Sequence, residues 1–288
     1  LKIVLGEDLA QLGFDGKVFI RDARSEGAGI LRASGPNLAA LAEAMGVGNT
    51  QSVASNNFSL KAEALLSETG LSLEDLQFRL GETQANGAIA YLAETPARLD
   101  AVLKINRFDL DKVTGNGAAS RDAADTVQKT NGETGGTNSK SNYNGGTQDA
   151  APETRAETYL AMLPANFAAS IDLEVQTLRY LGGVVQQAHA VISLDEGVIT
   201  IQQATALLPG GSNVALFGQI SPSEGGARFD GQVDIASNDI RAIISWLNLL
   251  DASDLPADRL RRFSLTTGLS ANATGGELSE LDLRIDAS

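Results

Sequence analysis

Residues 171–194 read IDLEVQTLRYLGGVVQQAHAVISL. Ile171, Leu173 and Val175 alternate with Asp172, Glu174 and Gln176, and beyond Leu181-Gly182-Gly183 a second row follows at Ala190, Ile192 and Leu194. A period of two puts the apolar side chains on one side of an extended strand and the polar ones on the other. Glycines between two such runs mark a tight reversal. The stretch therefore predicts a half-exposed antiparallel hairpin. The pattern recurs outward, with Val214, Leu216, Gly218 and Ile220 as another row and turn signals at Asp195-Glu196-Gly197, Pro209-Gly210-Gly211-Ser212 and Pro222 to Gly226. The expected fold is mainly β: a long antiparallel meander of long strands joined by short turns.

Two segments change the period to that of a helix. Leu38, Leu41, Ala42 and Met45 follow Asn37 and stop at Gly46, and Ile240, Ile243, Ile244 and Leu247 follow Ser237-Asn238-Asp239. Each predicts a short helix, near 38–46 and near 239–248, that covers one end of a sheet. Aligning the two helices exposes an internal repeat. At an offset of 202, Gly29 falls on Gly231, Leu31 on Val233 and Ala33 on Ile235; at 205, Phe58-Ser59-Leu60 falls on Phe263-Ser264-Leu265, Gly70 on Gly275, Leu73 on Leu278 and Leu76 on Leu281. The second copy stops at Ser288, which reads as a cut inside a repeat. Leu1 in place of Met reads likewise as a processed or excised start.

Between the copies lies a Gly-, Asn-, Ser- and Thr-rich run, 114–158, whose only large aliphatic is Val127 and only aromatic Tyr143. Such a composition buries too little to offset its ordering entropy, and it predicts a flexible linker or insertion. The organisation expected is a first β unit over 1–113, the linker over 114–158 and a second, truncated β unit over 159–288.

Composition removes several kinds of function. With 36 acidic against 22 basic side chains the net charge is −14, which repels a phosphate backbone, so no nucleic-acid partner is expected. The linker holds four basic and six acidic residues, leaving most of the negative charge on the β units. There is no cysteine and one histidine, so thiolate catalysis, zinc sites and a serine–histidine relay lack their raw material. Neither an enzyme nor a cofactor is expected. No apolar run approaches the ~18 residues of a spanning helix.

Of the residues with chemistry, Asp109-Leu110-Asp111 reads as a solvated strand end rather than a cation site, and His189 as a surface histidine out of phase with the apolar row. Trp246 reads as packing beneath a neighbouring loop. Arg259, Arg261 and Arg262 form the one basic concentration, either a solvated approach to the Phe263 strand or a contact for anionic head groups. What stands out is a row of aliphatic residues: Ile171, Leu173, Val175, Ile192, Leu194, Ile199, Ile201, Leu216, Ile220, Val233, Ile235, Leu265, Leu281, Leu283 and Ile285. Two arrangements fit it. The face closes into a sandwich core, or it lines a curved sheet and stays open as a trough for acyl chains.

The strand–helix unit from Gly231 through Trp246-Leu247, the following Leu255-Pro256-Ala257-Asp258-Arg259-Leu260-Arg261-Arg262-Phe263, Leu207-Leu208-Pro209-Gly210-Gly211, and Ile105-Asn106-Arg107-Phe108-Asp109-Leu110-Asp111 resemble the AsmA family. That resemblance implies a curved, groove-like β sheet with short capping helices in the periplasmic body of a protein anchored in the inner membrane by a segment outside this chain. It implies phospholipid acyl chains as the ligand, passage of phospholipid between inner and outer membrane, and outer-membrane assembly proteins as further partners. It carries over no catalytic residues.

Overall fold

A computed structural model of the chain describes residues 2–5, 10–21, 24–38, 56–114, 166–223, 226–248 and 262–285. They form fourteen strands: β1 (Lys2–Leu5), β2 (Ala10–Arg21), β3 (Arg24–Gly35), β4 (Phe58–Ser67), β5 (Gly70–Leu80), β6 (Thr83–Leu92), β7 (Ala97–Asp109), β8 (Phe167–Tyr180), β9 (Gly183–Asp195), β10 (Val198–Leu208), β11 (Ser212–Ser223), β12 (Gly226–Ser237), β13 (Phe263–Asn272) and β14 (Gly275–Ile285). Two short helices accompany them, α1 (Leu110–Thr114) and α2 (Ile240–Trp246). All fourteen strands lie side by side in one sheet in chain order, open and curved. Among the described residues there is no second sheet, so the closed-sandwich alternative does not hold for them.

The meander departs from antiparallel pairing at one place. β7 and β8 run parallel, in step from Ala97 opposite Phe167 to Asp109 opposite Arg179, and the Ala97 N–H donates to the Asn166 carbonyl at 3.1 Å. The sequence reading missed this junction. Its cause is the connection: a parallel neighbour needs a dozen or more residues to return to the starting end, and 51 residues separate Thr114 from Asn166. The predicted linker 114–158 lies outside the described residues except for Thr114, the last residue of α1.

The repeat is visible in the backbone. Phe58 and Phe263 open β4 and β13, and Gly70 and Gly275 open β5 and β14. The β4–β5 register slips between Lys61 and Glu63 and the β13–β14 register between Thr266 and Gly268, positions that the repeat alignment superposes. At the slips Asp75 and Glu280 occupy the left-handed region at φ 46° and 49°. A bulge adds one residue to one strand and increases local twist, so both copies bend at the same point.

At one end of the sheet the helices hold a single turn. Leu181 and Gly182, at φ 47° and 73°, make the tight β8–β9 reversal. Their N–H groups donate to Asp111 Oδ1 at 2.6 Å and Oδ2 at 2.9 Å. Asp111 is thus a buried carboxylate latching the turn from α1, a correction of the solvated strand end expected; Asp109 instead accepts the Lys112 N–H at 3.2 Å. From α2, which buries Ile243, the Trp246 Nε1–H donates to the Tyr180 carbonyl at 2.8 Å, and the indole meets the Tyr180 ring edge-on at 6.3 Å. α2 coincides with the helix expected near 239–248. The helix expected near 38–46 lies outside the described residues beyond Leu38.

The parallel junction sets a length requirement that can be tested. β7 has 13 residues, or ~43 Å at ~3.3 Å per residue, so the connection needs at least ~13 extended residues to return. Shortening 115–165 to about twice that minimum is expected to leave the far-UV circular dichroism and a single cooperative thermal transition intact. Shortening it to about half the minimum is expected to abolish that transition, because β8 can then follow β7 only as an antiparallel neighbour.

Candidate functional site

Cross-strand partners point to the same side of a sheet, so the registers trace each face strand by strand. One row runs Ala101, Ile171, Ile192, Ile201, Gly218, Gly231, Leu269, Leu278. A second runs Leu103, Leu173, Ala190, Ala204, Leu216, Val233, Thr267, and a third Leu99, Ala169, Leu194, Ile199, Ile220, Phe229, Ala271. Val175 lies on β8 beyond Leu173, Ile235 and Leu265 pair beside Val233, and Leu283 and Ile285 face Leu265 and Phe263. With Leu281, all fifteen aliphatic candidates therefore share one face.

That face continues into the first unit, which the sequence-derived candidates omitted. Ala101 is followed by Ile89, Leu73, Ala64, Gly29 and Gly16 on β6 to β2. The larger of the two repeat offsets could have found part of it, since Leu73, Leu76, Phe78 and Leu80 stand where Leu278, Leu281, Leu283 and Ile285 do. Phe58, Ala64, Leu76, Ala85, Ala101, Val175 and Leu194 are buried and all belong to this side, which marks it as the crowded inner side of the curve. Val175 and Leu194 are the buried candidates; Ile171, Leu173, Ile192, Ile199, Ile201, Leu216, Ile220, Val233, Ile235 and Leu265 are half-buried and Leu281, Leu283 and Ile285 exposed.

Two glycine pairs interrupt the aliphatic surface. Gly218 faces Gly231 and Gly16 faces Gly29, and the repeat alignment lays one pair on the other. A Cβ on Gly231 would run into the Phe217 carbonyl and one on Gly29 into the Asp15 carbonyl at 2.5 Å, so the backbones approach more closely than any other residue permits. The Phe229 ring covers one pair and the Phe14 ring the other. Each phenylalanine stands two residues before a glycine of its own strand, and its ring replaces the missing apolar surface.

The opposite face is largely polar and laced with ion pairs. Lys104 Nζ meets Glu174 Oε2 at 2.9 Å across the parallel junction, His189 Nε2 lies 2.9 Å from Asp172 Oδ1, and Arg228 Nε lies 2.8 Å from Asp230 Oδ2. The Glu174 hydrogen bond raises the Lys104 pKa, and hydrogen bonds from Arg228 and then Ser270 lower that of Asp230. His189 points to this face, as its phase predicts. Of the basic candidates, Arg259 and Arg261 lie outside the described residues. Arg262 is exposed and borders an open hollow of about 300 Å³ with Arg284, Asn213, Asn238, Ala236 and Phe263. Among the described residues no three His, Cys, Asp or Glu side chains gather into a metal site, and no helix is long and apolar enough to cross a membrane.

No protein-family model, curated protein or solved structure matches the chain. Among the described residues the arrangement itself is a broad, half-exposed aliphatic surface on one side of an open sheet.

The glycine pairs permit this close backbone approach, and one substitution tests that. Gly231→Ala is expected to cost about 1–3 kcal/mol, as overpacking against backbone does, measured by urea unfolding. Gly275→Ala, where a Cβ meets nothing within 4 Å, is expected to change stability by well under ~1 kcal/mol.

Proposed function

We propose that this chain is part of a lipid conduit, an AsmA-like periplasmic segment whose inner face carries phospholipid acyl chains between inner and outer membrane. The observation that supports the reading is the aliphatic face itself, fifteen predicted residues on one side of an open sheet with no described layer against them. Neighbouring strands lie ~4.8 Å apart, so fourteen strands extend this face over ~60 Å of arc. Head groups would remain outside, with Arg259, Arg261 and Arg262 as their candidate contacts. In this reading the chain is not an enzyme and needs no cofactor. In the same reading a segment not in this chain would attach it to the inner membrane, and outer-membrane assembly proteins would be further partners.

The energetics fit transport better than storage. Transferring an acyl chain from water onto an apolar surface gains ~0.8 kcal/mol per CH₂, and a bilayer offers nearly the same. Tails on this face and in a membrane are then close in free energy, so movement needs no tight site, and a continuous nonspecific floor serves it. The Ile and Leu side chains supply most of such a floor, and phenylalanine rings cover two of its glycine pairs.

Photo-crosslinking tests the reading. A benzophenone side chain at Leu173, Ile192, Ile201 or Leu216 is expected to capture phosphatidylethanolamine from mixed vesicles, and one at Glu174 or His189 is not. Ile201→Asp and Leu216→Asp are expected to cut vesicle-to-vesicle lipid transfer at least tenfold while the thermal transition persists, because an open wall lets a carboxylate reach water. Equal capture on both faces, or global unfolding by both charges, would contradict the conduit.

A further inference from the structure

The face opposite the aliphatic rows carries an apolar hollow of about 510 Å³ that crosses β2 to β6. In the register its middle row runs Lys17, Ala28, Leu65, Ser72, Ala90, and the row beside it brings in Phe19, Glu26 and Leu92. Each of the five strands has a described neighbour on both sides. Leu65 is nevertheless 46% exposed and Phe19 57%. Four strand spacings of ~4.8 Å make the hollow ~19 Å long. A volume of this size spread over that length is narrow, with room for one extended hydrocarbon chain.

The repeat shows what the sheet alone requires at this place. At the two offsets Glu26, Ala28 and Leu65 fall on Arg228, Asp230 and Ser270, and the pairing agrees, since Ala28 faces Leu65 as Asp230 faces Ser270. In the second copy these positions form a closed polar network: Arg228 Nε lies 2.8 Å from Asp230 Oδ2, and Ser270 also hydrogen-bonds the Asp230 carboxylate. In the first copy a methyl and an isobutyl group replace that carboxylate and hydroxyl, and Phe19 stands where Ser221 does. One backbone thus carries a self-satisfied polar surface once and an apolar hollow once, so the fold does not dictate the apolar side chains. The charges differ as well. Beyond Ala90 and Leu92 the rows end on the Arg98–Asp100 pair at 2.8 Å, whereas at the β2–β3 end neither Lys17 nor Glu26 forms an ion pair among the described residues.

We propose that this hollow binds a single-chain zwitterionic phospholipid, its acyl chain lying along Ala28, Leu65 and Ala90 and its head group between Lys17 and Glu26. Charge complementarity selects that occupant. Lys17 and Glu26 are diagonal neighbours across the β2–β3 pair, about 7–8 Å apart, so a ligand with a phosphate and an ammonium group gives each a charge-assisted partner. An amphiphile with only negative charge is repelled by Glu26. A second copy of the chain is a poor fit, because two rows ~19 Å long cover far less than the ~800 Å² per partner that a stable dimer buries. The hollow and the rows assigned to transport lie on opposite faces, so this site stands whether or not those rows carry lipid.

The test places a polarity-sensitive fluorophore in the hollow. The chain has no cysteine, so Ser72→Cys carries acrylodan at a single site. Titration with lysophosphatidylethanolamine below its micelle concentration is expected to give a saturable blue shift, at least threefold tighter than lysophosphatidylglycerol, which lacks the ammonium group. Glu26→Gln is expected to erase that preference. Installing the second copy's residues, Glu26→Arg with Ala28→Asp and Leu65→Ser, is expected to weaken binding at least tenfold while the thermal transition persists, because the same set already stands on the equivalent backbone. Ile201→Asp, on the opposite face, is expected to leave the titration unchanged, which separates this site from the conduit. No saturable shift, equal affinity for the two lipids, undiminished binding by the triple variant, or weakening by Ile201→Asp would each overturn the proposal. So would a blue shift that rises with protein concentration in the absence of lipid, since a second copy would then fill the hollow.

Discussion

The rest of this architecture depends on the parallel step between β7 and β8. The repeat carries β2 onto β11 and β5 onto β14, a shift of nine strands. In a strictly alternating meander, strands nine apart run in opposite directions, and a second copy laid down in the same order along the sheet could not reproduce the first. One parallel neighbour restores the direction. β5 and β14 then run the same way, their bulges bend the sheet in the same sense, and both copies turn their aliphatic rows to the same side. The long polar segment after Thr114 acquires a purpose from this: it returns the chain to the far end of the sheet so that β8 can start where β7 did.

Consistency of side follows from consistency of direction. Because every row from β2 to β14 falls on one face, the apolar surface is continuous across the junction, and the Lys104–Glu174 ion pair and the His189–Asp172 contact lie on the other face. The glycine pairs and bulges shape this surface, while its chemistry stays uniform. A uniform, open apolar surface suits ligands recognised by apolar area, and that is the physical basis for proposing acyl chains.

Much of this was legible in the sequence because the period of two is a direct imprint of a one-sided sheet. The alternation around Ile171 and Ile192 located the strands and put the aliphatic residues in phase, and the two repeat offsets located the bulges without revealing them as bulges. Three features were not legible. The parallel junction depends on where a long connection ends, and composition gives no sign of that. Asp111 and Trp246 act on a turn far away in the chain, a tertiary relation that no local pattern encodes. Whether the apolar face closes or stays open depends on the presence of a second layer, and an alternating strand reads the same in a sandwich as in an open sheet.

Disulfide mapping of the junction tests the account most directly. In a chain without cysteine, Arg98→Cys with Ala168→Cys, and Arg107→Cys with Thr177→Cys, place one pair near each end of the junction in direct register. Both pairs are expected to oxidise readily in the folded protein, and Arg98→Cys with Arg179→Cys is expected to stay reduced. Rapid closure of the 98–179 pair, with the two in-register pairs inert, would mean that β8 runs antiparallel to β7, and the common face and the alignment of the two copies would both fail.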